Sequence, residues 1–259
     1  MKVLILGDLH GQVRLLPGLL ASAKRRFGVT AAIQVGDFGF FKGLSTALRN
    51  NRLPIPVHAI DGNHEDHRFL ARCHVQELTT FGPGDHLRVH GRGSVFDLGG
   101  LSIGCLGGAL HADRDQVIGN DTNWVTDADA DHAAAVFNDL QPQIIITHSC
   151  PHSIGVGMLG SPAFAPGVRF FCTDQGFDTG PEHDCGEPGL KRLWRQLQYR
   201  PQIWIFGHFH RVHENIVEGC HFVCAGSSDG TDGHENPIPI ILDTDALTVS
   251  IHHPGGPHG

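Results

Sequence analysis

Short aliphatic and β-branched runs alternate with amphipathic stretches along the first sixty residues. An apolar run at residues 3–6 is followed by helical spacing of apolar positions over about 13–27, then by apolar runs at 31–35 and 57–60. This βαβα order predicts a sheet core with helices outside it. From about 86 to 106 the pattern changes to short strands around glycine turns, and residues 95–103, with Gly99 and Gly100 inside, read as a hairpin. Helices over about 127–140 and 189–199 lead into strands at 144–146 and 203–206. Residues 212–251 read as consecutive strands, and 252–259 as a frayed tail. No repeat, linker or charge run divides the pattern, so residues 1–259 are expected to form a single α/β domain.

Composition adds exclusions. A chain of 259 residues that is 40% hydrophobic and 18% charged has ample core material. Its formal net charge of −8, with no Lys/Arg cluster, argues against a large basic surface for duplex nucleic acid. Seven scattered cysteines without a Cys-x-x-Cys pair argue against both a disulfide framework and a zinc ribbon. No apolar run approaches the roughly 20 residues of a membrane span, and residues 1–6 do not read as a secretory signal. A cytoplasmic protein with no membrane association and no obligate protein partner is expected.

Position distinguishes some of the 20 histidines from the rest. Five clusters sit immediately after apolar runs: Gly7-Asp8-Leu9-His10, Gly36-Asp37, Gly62-Asn63-His64-Glu65, Thr147-His148 and Gly207-His208-Phe209-His210. In open α/β sheets ligands bind at the carboxyl ends of strands, so these loops can converge on one place. Oxygen donors mixed with imidazoles suit Mn, Fe, Zn or Co, whereas carboxylates alone would point to Mg or Ca. The Asp8/His10 and His208/His210 spacings would point both members of each pair the same way on an extended segment.

These five blocks, in this order from Asp8 to His210, resemble the calcineurin-like metallophosphoesterase family. The resemblance implies a four-layer α/β/β/α sandwich and a site for two divalent metal ions, Mn first, with Fe, Zn or Co as alternatives. It implies that Asp8, His10, Asp37 and His210 hold one ion, and that Asp37, Asn63, His148 and His208 hold the other, Asp37 bridging. It further implies in-line attack of a metal-bridging hydroxide on a phosphomonoester or phosphodiester, with His64 assisting the leaving oxygen rather than holding metal. Asp61 or Glu65 would orient that imidazole, or else would be structural. The run Phe38-Gly39-Phe40-Phe41 lacks the Asp-Arg pair of the protein phosphatases, and Phe40 stands where purple acid phosphatases carry a tyrosine ligand. Many bacterial and phage members share the Gly-Asp-Phe and Gly-Asn-His-Glu blocks, so the substrate is not inherited from the family.

Weaker signals surround this set. His67, on the first turn after the Gly62-Asn63-His64-Glu65 loop, and His111 and Arg114, in a segment that follows a strand, are candidate substrate contacts. Residues 149–187 form a long Gly/Pro-rich stretch that leaves a ligand turn and carries apolar anchors such as Phe164 and Phe177, and an ordered flap insertion is expected there. Cys220 and Cys224 alternate onto one strand face and are expected to be buried. The leading function is hydrolysis of a phosphate ester, with a nucleotide or nucleic-acid fragment as the first substrate class. The alternatives are a binding scaffold that has lost catalysis, whose signature would be missing ligands, and a nuclease.

Overall fold

The computed structural model describes residues 1–110, 123–157, 184–230 and 237–253. Among these, β1 (Lys2–Leu6), β2 (Ala31–Gln34), β3 (Val57–Ala59), β4 (Thr80–Phe81) and β5 (Leu87–Val89) join β12 (Ile240–Asp243) and β13 (Thr248–Ile251) in one sheet, ordered β13-β12-β1-β2-β3-β5-β4. The second sheet runs β10-β11-β9-β8-β7-β6, from β6 (Ser94–Leu98), β7 (Leu101–Leu106), β8 (Ile144–Thr147), β9 (Ile203–Phe206), β10 (His213–Val217) and β11 (Cys220–Cys224). Both sheets share a plan. The first has four parallel strands, β1, β2, β3 and β5, and the second has four, β7, β8, β9 and β11; antiparallel strands flank each set.

Strand alternation sorts the side chains into three apolar layers, because successive residues face opposite sides of a sheet. Val3, Ile5 and Ile33 of the first sheet meet Ile103, Ile144, Ile146, Ile203 and Ile205 of the second. The alternate residues Leu4 and Leu6 turn outward onto helices α1 (Leu16–Phe27), α2 (Leu44–Asn50) and α3 (His67–Val75). On the other side Ile145, Trp204 and Phe206 pack against α4 (Asp127–Leu140) and α5 (Pro188–Gln196). The result is the expected four-layer α/β/β/α sandwich. Cys220 and Cys224 both lie in this last layer, as the alternation required.

Several elements differ from the sequence pattern. The first helix opens as a 3-10 turn at Val13–Leu15 before α1, with Pro17 in its first turn and Gly28 ending it at φ 71°. Helices α2 and α3 were not legible from spacing. The first has seven residues, and the second buries only Cys73 fully while Asp66 caps it by accepting the Phe69 amide at 2.8 Å. Residues 86–106 do not belong to one sheet. β5 pairs with β3 in the first, and the chain crosses at 90–93 to the hairpin of β6 and β7 in the second.

Candidate metal centre

The parallel strands of both sheets end on the same side of the molecule, and their exit loops are laced together by backbone bonds. The Asp37 carbonyl accepts from Leu9 N at 2.9 Å and His10 N at 2.8 Å, joining the β1 and β2 loops. Buried Gln34 adds side-chain bonds to the Gly7 carbonyl and to both polar groups of Gly36. Glu65 accepts from the amides of Phe38, Gly39 and Phe40 at 2.9, 2.9 and 2.6 Å and from Gly62 at 3.3 Å, so it holds the β2 and β3 loops in shape. Asp61 accepts from Arg92 Nε and Nη2 at 2.9 and 2.7 Å. For both carboxylates this geometry supports the structural reading.

His10, Asp37, His208 and His210 have φ of 42°, 53°, 69° and 54°. The expectation of extended Asp-x-His and His-x-His segments is therefore corrected. The chain must reverse at the strand end, and it does so through left-handed residues, with Phe209 N donating to the Gly207 carbonyl at 2.8 Å. Such conformations in non-glycine residues cost of order 1–3 kcal/mol each and persist where surroundings impose them. Two glycines are required by close approach. A Cβ on Gly62 would lie 2.1 Å from Asp37 Oδ1, and one on Gly36, itself at φ 98°, would lie 2.3 Å from His148 Nδ1.

These loops bring all seven predicted ligands and His64 together. His148 Nε2 lies 3.3 Å from Asp37 Oδ1, 3.7 Å from Asp8 Oδ1 and 3.0 Å from Asn63 Oδ1. His10 Nε2 is 3.3 Å from Asp37 Oδ2, and His210 Nε2 is 3.9 Å from Asp8 Oδ2. The rings of His148 and His208 are 5.1 Å apart, and those of His10 and His210 are 5.0 Å apart. Donor atoms cluster within metal-binding reach in three sets: Asp8, His10 and His210; Asp8, Asp37 and His148; and His10, Asp37 and His64. His64 sits exposed at the rim, its amide donating to Asp37 Oδ1 at 2.8 Å and its ring 5.5 Å from that of His10.

The donor set fits a cation. His148 Nδ1 faces the Val35 carbonyl at 2.8 Å, which assigns the proton of a neutral ring to that nitrogen and turns the Nε2 lone pair inward. Nε2 and Asn63 Oδ1 then present two lone pairs to one point, an arrangement a positive charge between them relieves. Asp8 Oδ1 and Asn63 Nδ2 are buried without a hydrogen-bond partner among the described residues. Burial works against a charged His148, yet the Asp37 and Asp8 carboxylates prevail and lift its pKa to about 10. His10 is lifted to about 9, first by its bond to Asp37, against burial and with help from Asp229. His208 is pushed well below the ordinary imidazole value by burial, with the charge of His148 adding to it. Two buried carboxylates thus create a field that draws positive charge, and a divalent cation would compete with these protons for the same lone pairs.

Three features escaped the sequence reading. Asp229, in the loop after β11, accepts from or is paired with His10 Nδ1 at 2.7 Å and is held by Ser227 Oγ. It obeys the same strand-end rule as the other loops, but it stands five residues past the end of β11 and is separated from Gly226 by two serines, where Asp8 and Asp37 directly follow a glycine. Arg92 reaches from the turn after β5 to Asp61, to the Trp124 carbonyl at 2.8 Å and to Asp129 at 3.3 Å. Asn123 Nδ2 donates to the Asn63 carbonyl at 3.2 Å. Of the expected substrate contacts, His67 begins α3 beside the site, while His111 and Arg114 lie outside the described residues, as does 158–183 of the expected flap. The roots of that stretch are paired, with Glu187 N donating to the Cys150 carbonyl at 2.7 Å.

Residues 1–212 match the model of the calcineurin-like phosphoesterase family, and the chain belongs to that family. Among solved structures it is similar to a putative 5'-nucleotidase from Staphylococcus aureus, with 13% identity over 97% of this chain and 52% of that one and a TM-score of 0.51. It is also similar to an archaeal phosphodiesterase, with 13% identity over 97% and 98% of the two chains and a TM-score of 0.47. A third is Vps29 from Entamoeba histolytica with zinc, at 15% identity over 97% and 90% and a TM-score of 0.37. At these identities the likeness is one of fold. No curated protein matches the chain. Among the described residues no helix is long and apolar enough to cross a membrane.

Proposed function

We propose that the chain hydrolyses a phosphate mono- or diester using two divalent cations held between the strand ends. The observation that carries this reading is the complete donor set around buried Asp8 and Asp37, with Asn63 Oδ1 and His148 Nε2 3.0 Å apart. A scaffold that had lost catalysis would not need every donor. Asp8, His10, Asp37 and His210 would hold one ion, and Asp37, Asn63, His148 and His208 the other. The mixture of oxygen and imidazole donors suits Mn first, then Fe, Zn or Co. When bound, such cations neutralise phosphoryl oxygens and make water acidic enough to supply a nucleophile at neutral pH. The chain's own residues orient these parts: Asp229 fixes the His10 ring, the Val35 carbonyl fixes His148, and Glu65 fixes the turn that presents Asp37. His64, exposed at the rim beside His10 and Asp37, would give a proton to the leaving oxygen. A nucleotide or nucleic-acid fragment is the substrate class favoured.

His64 decides between two roles, since its ring nitrogen also falls in a candidate ligand set with His10 and Asp37. As a proton donor, His64→Ala should retain two metals per chain by elemental analysis. It should lose roughly 10²–10⁴ in turnover on an alkyl phosphate and much less on a nitrophenyl ester. Loss of one metal, or equal losses on both esters, would remove His64 from that role.

A further inference from the structure

The row of parallel strand ends in the first sheet does not stop at the metal centre. β1, β2 and β3 deliver Asp8, Asp37 and Asn63, while β5, next to β3 and parallel to it, delivers no candidate ligand. Beside the end of β5 lies a cleft of about 410 Å³, walled by α3 on one side and the β4–β5 edge on the other. The cleft borders the Asn63 loop itself, since Asp61 of that loop and His67 at the start of α3 are among its lining residues. Its volume falls in the range of small-molecule sites.

The chemistry of its lining narrows the occupant. Leu70, Cys73, Phe81 and Val89 make an apolar wall. Arg92 stands at the polar end, but two carboxylates, Asp61 and Asp129, already engage its guanidinium at 2.7 and 3.3 Å. That end therefore carries no net positive charge and offers no anchor for a second phosphate or a carboxylate. His67 also lines the cleft, and its Nε2 is buried with no hydrogen-bond partner among the described residues. A buried ring nitrogen without a partner is costly, and a ligand atom that bonded to it would recover that cost.

We infer that this cleft is the subsite for the organic group of the ester, and that the group it takes is a flat, uncharged heteroaromatic ring of the nucleobase type with one polar edge toward His67. This rests on the phosphoesterase reading for its use in catalysis, but the binding itself does not require metal.

Two diesters with the same leaving group test it: thymidine 5'-(p-nitrophenyl phosphate) and methyl p-nitrophenyl phosphate. Wild-type, Mn-loaded protein should show a higher kcat/KM for the thymidine ester, and Leu70→Trp, which fills the cleft, should lower that preference roughly tenfold or more, mainly through KM. His67→Ala, which leaves the wall intact, should lower it by a smaller factor. Thymidine itself should bind metal-free wild-type protein in a calorimetric titration and bind Leu70→Trp more weakly. If neither ester is hydrolysed by metal-loaded protein, the phosphoesterase reading fails, and the thymidine titration still judges the cleft. If both esters are hydrolysed but a folded Leu70→Trp and His67→Ala keep the wild-type preference, or free thymidine does not bind, the cleft is not the subsite.

Discussion

Asp37 accepts the His64 amide through Oδ1, faces His148 with the same oxygen and faces His10 with Oδ2, while its own backbone sits at φ 53°. One side chain thus serves two groups of donors, which is what a ligand shared between two ions requires. The burial of its carboxyl is opposed by the neighbouring imidazoles, led by His148, which hold its pKa well below the ordinary carboxylate value. Asparagine tolerates the left-handed conformation and keeps the shape of the side chain while removing its charge. Asp37→Asn should therefore fold and lose metal from both positions, whereas His10→Ala should weaken mainly one. Elemental analysis of the purified variants is the check, and two metals retained by Asp37→Asn would rule out a bridging role.

At the scale of elements, the Asn63 loop is held from outside its own sheet. Arg92, in the crossover between sheets, links Asp61 to the N-terminal turn of α4, and Gly108 N donates to the Asp61 carbonyl at 3.1 Å. Side-chain exposures of 17% for Arg92 and 12% for Asp61 place the pair largely out of water. Removing one partner of a buried pair leaves the other charge uncompensated and costs about 3–5 kcal/mol, whereas replacing both is often far less harmful. Arg92→Met should thus lower Tm by roughly 6–20 °C at about 2–4 °C per kcal/mol. The double variant Asp61→Leu/Arg92→Met should be more stable than Arg92→Met alone. Thermal melts of the three proteins decide it; a double variant less stable than the single one would show that the pair acts through something other than uncompensated charge.

Across the whole molecule, one polar cluster spans the two sheets. His58 of β3 and His90 after β5 are joined at 2.9 Å between Nδ1 and Nε2, and both rings stack on Phe96 of β6, His90 at 3.9 Å and His58 at 4.8 Å. Burial pushes the pKa of His58 down to about 4 and that of His90 to about 3, with the charge of Arg88 adding to both. The fold therefore keeps these imidazoles neutral, while in the unfolded chain they protonate below about 6.5. Between about 6.5 and 3 the unfolded state binds more protons, so the pair makes stability fall as pH falls through that window and has no effect above it. His90→Phe preserves a ring for the stack and removes one of these protons. Its Tm should drop less than that of wild type between pH 7 and pH 4.5. Parallel pH dependences for the two proteins would show that the cluster does not contribute.

The sheet core with its outer helices and the loops that carry the candidate site were largely legible in the chain because both rest on local patterns, while the pairing of two sheets into four layers came from the family resemblance. Alternation along Val3–Leu6, Ile144–Ile146 and Ile203–Phe206 sends side chains to opposite faces wherever the strands end up pairing. A polar block behind each apolar run marks the edge where the parallel strands finish, and that rule marked the five clusters between Asp8 and His210, while the choice of seven ligands among them came from the family resemblance. What only the tertiary structure decided depends on partners far along the chain. Asp229 meets His10 across 219 positions, and Arg92 meets Asp61 across a change of sheet that no periodicity announces. Helices α2 and α3 are too short or too polar to show an apolar stripe, and they form where the loops around Asp37 and Asn63 hold their ends. The left-handed ligand turns belong to the same group, since nothing in the residue types of His10, His208 and His210 demands a positive φ. That conformation is imposed by the neighbouring loops to which each strand end is tied.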